Sequence, residues 1–257
     1  MSTQTIAIAG KGGVGKTTIT GMLINYLVAK NQGPVLAVDA DANSNLNEVL
    51  GMDIELTLGD IREELEHAED AVKSPIPTGM DKRTFTEMRF GQALAEGDDY
   101  DMLVMGRTQG SGCYCFVNGL LTTQLQRYTP NYRYIVVDNE AGMEHLSRGI
   151  LPKVDTIILV SDCSRRGVQC AGRIYELAKS LGHGNAEIKL IINRATDGKA
   201  GAGVMEEVEK YGMDLAGILP TSETIYEFDD EGKPTSTIPE DDPFRKALYD
   251  VLDTIQF

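Results

Sequence analysis

The stretch Gly10-Lys11-Gly12-Gly13-Val14-Gly15-Lys16-Thr17 (GKGGVGKT) decides the reading of this chain. It follows a short apolar run, Thr5 to Ala9 (TIAIA), and opens a segment of helical periodicity from Lys16 to Lys30. The pattern G-x-x-x-x-G-K-[ST] is thus met in the strand–loop–helix context it requires. Glycines there let backbone N–H groups turn inward around a phosphate, and the helix N-terminus adds the positive end of its dipole. Lys16 is placed to reach the β- and γ-phosphates of a nucleotide, and the Thr17 hydroxyl to ligate Mg²⁺. The nucleotide-binding set expected from the loop is Gly10, Gly12, Gly13, Val14, Gly15, Lys16, Thr17 and Thr18.

Six further runs have the same character as TIAIA: VLAVD (Val35 to Asp39), DMLVM (Asp101 to Met105), YIVVD (Tyr134 to Asp138), TIILV (Thr156 to Val160), IKLIIN (Ile188 to Asn193) and LAGIL (Leu215 to Leu219). Their apolar character is continuous rather than alternating, as a sheet covered on both faces requires. Helical periodicity follows from Gly167 to Leu181 and from Val204 to Tyr211. A last helix is expected over Pro243 to Ile255, with Asp242 as N-cap and Pro243 at its first position. Alternation of this kind predicts an α/β fold with a doubly wound, mostly parallel sheet flanked by helices. Residues 57–97, with Pro75, Pro77 and mixed charges, are expected to be an irregular insertion within one domain spanning 1–257.

The 257 residues carry 24 basic and 39 acidic side chains, a formal charge of −15. Such a surface repels nucleic-acid phosphate and anionic lipid, and the short pairs Lys82-Arg83 and Arg165-Arg166 do not reverse it. No apolar run approaches the roughly 20 residues of a membrane span, and the N-terminus lacks the pattern of a secretion signal. The expectation is a cytoplasmic protein, with no nucleic-acid or membrane partner, whose thiols stay reduced.

Carboxylates leave the strand ends beside the phosphate loop: Asp39 and Asp41 after the second strand (VDADANSN) and Asp138 after YIVVD. The C-terminal edge of a parallel sheet is where such folds bind ligands. Two of the four cysteines, Cys113 and Cys115, lie one residue apart in GRTQGSGCYCFVN, Gly106 to Asn118. This stretch follows DMLVM and emerges at that same edge. Two thiolates fall short of the four ligands of a structural zinc site, and thiolates equally suit nickel or an iron–sulfur cluster. Two copies of the loop meeting on a dimer axis would supply four. The plainer reading of Cys-Tyr-Cys is packing. Cys163 and Cys170 read as core residues, and His67, His145 and His183 are assigned no role.

GKGGVGKT, with Lys11 inside the loop, resembles the deviant phosphate loop of the MinD/ParA/NifH-type ATPases. The resemblance implies a homodimer, dependent on nucleotide and metal, in which Lys11 reaches the nucleotide of the other subunit. It also implies that Asp41 polarises the attacking water, that Asp39 lies beside the magnesium site, and that Asp138 holds Mg²⁺ through water. Asn193-Arg194 is similar to the adenine-reading element of these ATPases. GRTQGSGCYCFVNGLL and YRYIVVDNEAGMEHLSRG narrow the likeness to the CooC-type ATPases that mature nickel enzymes, together with their relative AcsF. What this implies is ATP hydrolysis coupled to delivery of Ni²⁺, or Zn²⁺ on the same ligands, to carbon monoxide dehydrogenase or acetyl-CoA synthase. Two other readings stay open. One is an electron-transfer ATPase of the nitrogenase iron-protein type. The other is a positioning ATPase of the MinD or ParA kind, for which the C-terminus DPFRKALYDVLDTIQF is a poor lipid anchor.

Overall fold

All seven apolar runs become strands, and each satisfies its backbone by pairing with its neighbours. They are β1 (Gln4–Gly10), β2 (Val35–Ala40), β3 (Tyr100–Val104), β4 (Tyr134–Asn139), β5 (Thr156–Asp162), β6 (Glu187–Ala195) and β7 (Asp214–Pro220). Strands β1, β2, β4 and β5 are buried almost throughout, while β7 at the sheet edge buries only Leu219. The computed structural model describes residues 3–41, 45–66, 74–106, 115–139, 154–181 and 186–257, with 115–121 as backbone alone. The strands form one sheet in the order β3-β2-β4-β1-β5-β6-β7, with every pairing parallel. Strand β1 is central, and the chain leaves it first toward β2 and later crosses to β5. The order in which strands are added therefore reverses beside the phosphate loop, the place where doubly wound folds bind ligands.

Alternate residues of each strand enter different layers. Ile6 and Ile8 of β1, Val136 of β4 and Val160 of β5 face α1 (Lys16–Ala29) and the C-terminal helix. Ala7, Ala9 and Leu159 face the helices Arg165–Ser180 and Ala202–Tyr211 on the other side. Leu36, Val38, Ile135 and Val137 complete that second face with residues from 58 to 132. After α2 (Leu46–Leu50), this last group includes the segment expected to be irregular.

That expectation is corrected here: residues 57–97 hold α3 (Leu58–Glu66) and α4 (Lys82–Ala93). Leu58, Ile61 and Leu65 are spaced along one face of α3 and buried, as are Phe85, Phe90 and Ala93 of α4. The N-terminus of α3 is closed reciprocally. The Thr57 N–H donates to Asp60 Oδ2 at 2.8 Å, and the Asp60 N–H donates to Thr57 Oγ1 at 3.2 Å. Asp81 caps α4 by accepting from the Thr84 N–H at 2.9 Å. The mixed charges are exposed-face pairs between the helices, such as Arg89 Nε to Glu64 Oε2 at 2.7 Å. The next helix, α5 (Cys115–Tyr128), lies beside them and leads back into β4.

The remaining helices are α6 (Arg165–Ser180), α7 (Ala202–Tyr211), α8 (Glu223–Asp230) and α9 (Pro243–Leu252). Asp242 caps α9 as its sequence indicates, accepting from the N–H groups of Phe244 at 2.9 Å and Arg245 at 3.1 Å. The helix stops three residues before Ile255. No helix among the described residues is long and apolar enough to cross a membrane.

Close packing of α9 on β7 depends on Gly217, where an added Cβ would lie 2.3 Å from Val251 Cγ2 and 3.1 Å from its Cγ1. A β-branched neighbour has no rotamer freedom with which to move aside. Gly217→Ala is expected to lower stability by about 1–3 kcal/mol, read as a lower urea midpoint with an unchanged slope.

Candidate functional site

The phosphate loop is held from both sides by strand ends. Gly10 ends β1 where an added Cβ would sit 2.2 Å from the Val160 carbonyl oxygen of β5, so only glycine fits. Gly13 and Gly15 take left-handed conformations, with φ of 77° and 94°. Asn193, at the end of β6, donates from Nδ2 to the Val14 carbonyl at 2.9 Å. Its amide comes so close that a Cβ on Gly15 would lie 2.6 Å from it. Lys16 opens α1 with its side chain largely buried, and its Nζ reaches the Lys11 carbonyl at 3.4 Å. Lys11, Gly12 and Gly13 are exposed at the rim and Val14 is buried beneath. Thr17 and Thr18 lie in the first turn of α1.

The strand register sets two carboxylates side by side, with Asp39 of β2 paired to Asp138 of β4. Both are fully buried. Asp39 accepts the Asp41 N–H at Oδ1 and the Leu46 N–H at Oδ2, each at 3.0 Å. It thereby holds both the residue after β2 and the first residue of α2. Asp138 is met by the hydroxyl of Thr20, 3.2 Å from its Oδ1, and by that of Thr17. Burial pushes Asp39 up to about 7 against the pull of its two N–H partners, and the charge of Asp138 adds to the rise. Burial likewise pushes Asp138 up to about 6, opposed by Thr17, by the Lys16 ammonium and by Thr20. These are hard oxygen donors around buried negative charge, with a threonine hydroxyl among them. That donor set fits Mg²⁺.

Other residues singled out by the sequence are distributed as follows. Asp41 stands half-buried at the mouth of the edge, its N–H on Asp39. Arg194 is exposed, has a φ of 59°, and gives its N–H to Asn193 Oδ1 at 2.8 Å. Cys113 lies outside the described residues, as does the segment 140–153 with His145. Cys115 is the first residue of α5. Among the described residues, no group of three or more His, Cys, Asp or Glu side chains could hold a metal ion. Cys163 and Cys170 are free thiols, half-buried against the α6 side of the sheet.

The structure adds residues that the motif did not name. Thr20, one turn beyond Lys16, also donates to the Lys16 carbonyl at 2.9 Å and so links α1 to Asp138. The sequence signal was a polar residue on a helix face otherwise apolar. Asn139 donates from Nδ2 to the Ile8 carbonyl at 2.9 Å, and its buried Oδ1 has no partner among the described residues. Met105 donates its N–H to the Asp39 carbonyl at 2.8 Å. Met105, which precedes the segment carrying the cysteines in sequence, is thus tied to the carboxylate strand.

Residues 5–235 match the CobQ/CobB/MinD/ParA nucleotide binding domain. The chain is 40% identical over 254 residues to an uncharacterized ATP-binding protein of Methanocaldococcus jannaschii, covering 97% of each. It is 31% identical over 239 residues to the carbon monoxide dehydrogenase accessory protein CooC of Rhodospirillum rubrum, covering 88% of this chain and 87% of that one. In structure it is similar to MinD in the MinC:MinD complex of Aquifex aeolicus, with a TM-score of 0.69 and 23% identity over 99% of this chain and 97% of that one. The chain belongs to the CobQ/CobB/MinD/ParA nucleotide-binding family, and it is an ATP-hydrolysing enzyme of the P-loop class.

A carboxyl whose midpoint rises on folding favours the native state below its unfolded value and loses that contribution as the pH climbs through its folded value. For Asp138 the window runs from 3.8 to about 6. Asp138→Asn is therefore expected to stabilise the nucleotide-free protein by roughly 3 kcal/mol at pH 8, and by about half that at pH 5. Urea unfolding at the two pH values checks the size and the direction.

Proposed function

We propose that the protein is a nucleotide-gated metal-delivery ATPase. In this reading two copies close on ATP, their Cys113 and Cys115 thiolates meet on the twofold axis, and the four hold one soft metal ion as cargo. The client would be a nickel enzyme, carbon monoxide dehydrogenase or acetyl-CoA synthase. The observation that carries the reading is the bond from the Met105 N–H to the Asp39 carbonyl. It ties Met105, which precedes the cysteine-bearing segment in sequence, to the strand end that carries Asp39 beside the phosphate loop, and so supports the reading. The 31% identity to an accessory protein of carbon monoxide dehydrogenase supports the choice of client.

The family resemblance and the placement of these residues at one sheet edge support the following roles. The phosphate loop would bind the β-phosphate through its backbone N–H groups, with Lys16 withdrawn from the Lys11 carbonyl and turned to the β- and γ-oxygens. Thr17 and Asp138, with Asp39 behind them, would hold Mg²⁺, which neutralises charge on those oxygens. Asp41 would orient the attacking water, and Lys11 of the facing subunit would stabilise the charge developing on the transferred group. Loss of the γ-phosphate then relaxes the segment following Asp138, the paired loops part, and metal affinity falls.

A positioning role of the MinD or ParA kind is the second reading, supported by the family and the shared fold. A membrane-binding C-terminus is disfavoured by α9, whose Phe244, Leu248 and Leu252 are buried in the core rather than free to enter lipid. Arg245 is also engaged, donating to the Ile238 carbonyl at 2.6 Å. Sedimentation with anionic vesicles in the presence of ATP is expected to leave the protein in the supernatant.

Lys11→Gln is expected to lower ATP turnover at least a hundredfold while ATP binding stays measurable, given the usual weight of one charge-stabilising donor, about 10²–10³. Unchanged turnover would remove Lys11 from the chemistry. Metal content and solution mass of anaerobically purified protein, with a non-hydrolysable ATP analogue and with ADP, test the cargo. One ion per dimer is expected with the analogue, weaker retention with ADP, and none in Cys113→Ser/Cys115→Ser. Equal affinity in the two nucleotide states would contradict gating, and a brown, air-sensitive protein would favour an iron–sulfur cluster.

A further inference from the structure

The phosphate loop and the carboxylate pair meet inside the fold as well as at its edge, and they meet at Thr20. This residue lies one turn beyond Lys16 on α1 and is fully buried. Its hydroxyl has a single hydrogen to donate, and two acceptors are within reach. They are the Lys16 carbonyl at 2.9 Å and Asp138 Oδ1 at 3.2 Å. One belongs to the backbone of the phosphate-binding lysine, the other to the carboxylate on the metal side.

The two acceptors differ in need. A helix carbonyl already receives the N–H of the residue four places on, so the Lys16 carbonyl loses little when the hydroxyl turns away. Asp138 has no such ladder, and burial denies its charge the solvent that would otherwise surround it. Its neighbour Asp39 is held by two backbone N–H groups, whereas Asp138 is held by the hydroxyls of Thr17 and Thr20. Thr17 is itself placed to take the metal, which leaves Thr20 as a donor that the metal does not touch. A hydrogen bond at Oδ1 restrains rotation of the carboxylate about its Cβ–Cγ bond. Partners that orient a ligand in this way are generally worth about 10–100-fold in metal affinity.

We propose that Thr20 is a positioning residue for magnesium: its hydroxyl gives its hydrogen to Asp138 and holds the carboxylate in the orientation that coordinates the cation. This rests on the reading that Asp138 holds the Mg²⁺ of a nucleotide bound at the phosphate loop. Thr20 acts through Asp138 alone. Valine keeps the branched shape of threonine without the hydroxyl, and serine keeps the hydroxyl without the methyl group.

The test is titration calorimetry of the full chain with ADP, in Mg²⁺ and in chelator, for wild type, Thr20→Val and Thr20→Ser. The quantity read is the gain in ADP affinity that Mg²⁺ brings. Thr20→Val is expected to cut that gain by about tenfold, or to abolish a smaller one. Its ADP affinity in chelator should match wild type, and Thr20→Ser should recover most of the gain. A general disturbance of α1 would reach the phosphate loop and weaken ADP in both conditions alike. Equal weakening in Mg²⁺ and in chelator, or an undiminished gain in Thr20→Val, would therefore overturn the proposal. So would a Thr20→Ser variant no better than Thr20→Val. A wild type whose ADP affinity is the same with and without Mg²⁺ would instead remove the reading of the metal site, and this inference with it.

Discussion

Two carboxylates buried side by side are the constraint around which this sheet edge is organised. Asp39 and Asp138 are paired in register on neighbouring strands, in an interior that resists the charged form of each. The fold answers with whatever donors it can bring. They are the N–H groups of Asp41 and Leu46 on one carboxylate, and the hydroxyls of Thr17 and Thr20 with the charge of Lys16 on the other. These donors temper the rise of both midpoints without cancelling it. A divalent cation and the phosphates it accompanies would complete the site, and the same constraint explains why α1, α2 and the phosphate loop converge there.

Asp39 is also a mechanical node. Its side chain holds the Asp41 and Leu46 N–H groups, and its carbonyl takes the Met105 N–H at 2.8 Å. Met105 in turn accepts the Gly59 N–H at 2.8 Å, and a Cβ on Gly106 would lie 2.4 Å from Thr57 Oγ1. Met105 thus joins the end of β2 to the first turn of α3 through backbone bonds.

The strands were legible in the sequence because burial on both faces writes a continuous apolar run, and few other structures require one. The phosphate loop was legible because its glycines answer a steric demand visible in the structure at Gly10 and Gly15. The helices within 57–97 were not read, although Thr57-x-x-Asp60 is a capping signal. Pro75 and Pro77 drew attention to the residues just before α4, and paired charges such as Glu64 and Arg89 masked the narrow apolar stripes. Thr20 and Asn139 make contacts that depend on which elements meet, and no local pattern records that. Cys113 could be named from the sequence, but it lies outside the described residues, whereas the bond from Met105 to the Asp39 carbonyl came only from the structure.

The most direct test of a shared metal–nucleotide site is the melting temperature of the protein with ADP in chelator, with Mg²⁺ alone, and with both. A ligand stabilises the native state according to its affinity for it. If the carboxylate pair and the phosphate loop form one site, the rise in Tm with Mg²⁺ and ADP together should exceed the sum of the separate rises. The same rise with ADP in chelator as with ADP and Mg²⁺ would contradict it, leaving Asp39 and Asp138 outside the nucleotide's reach.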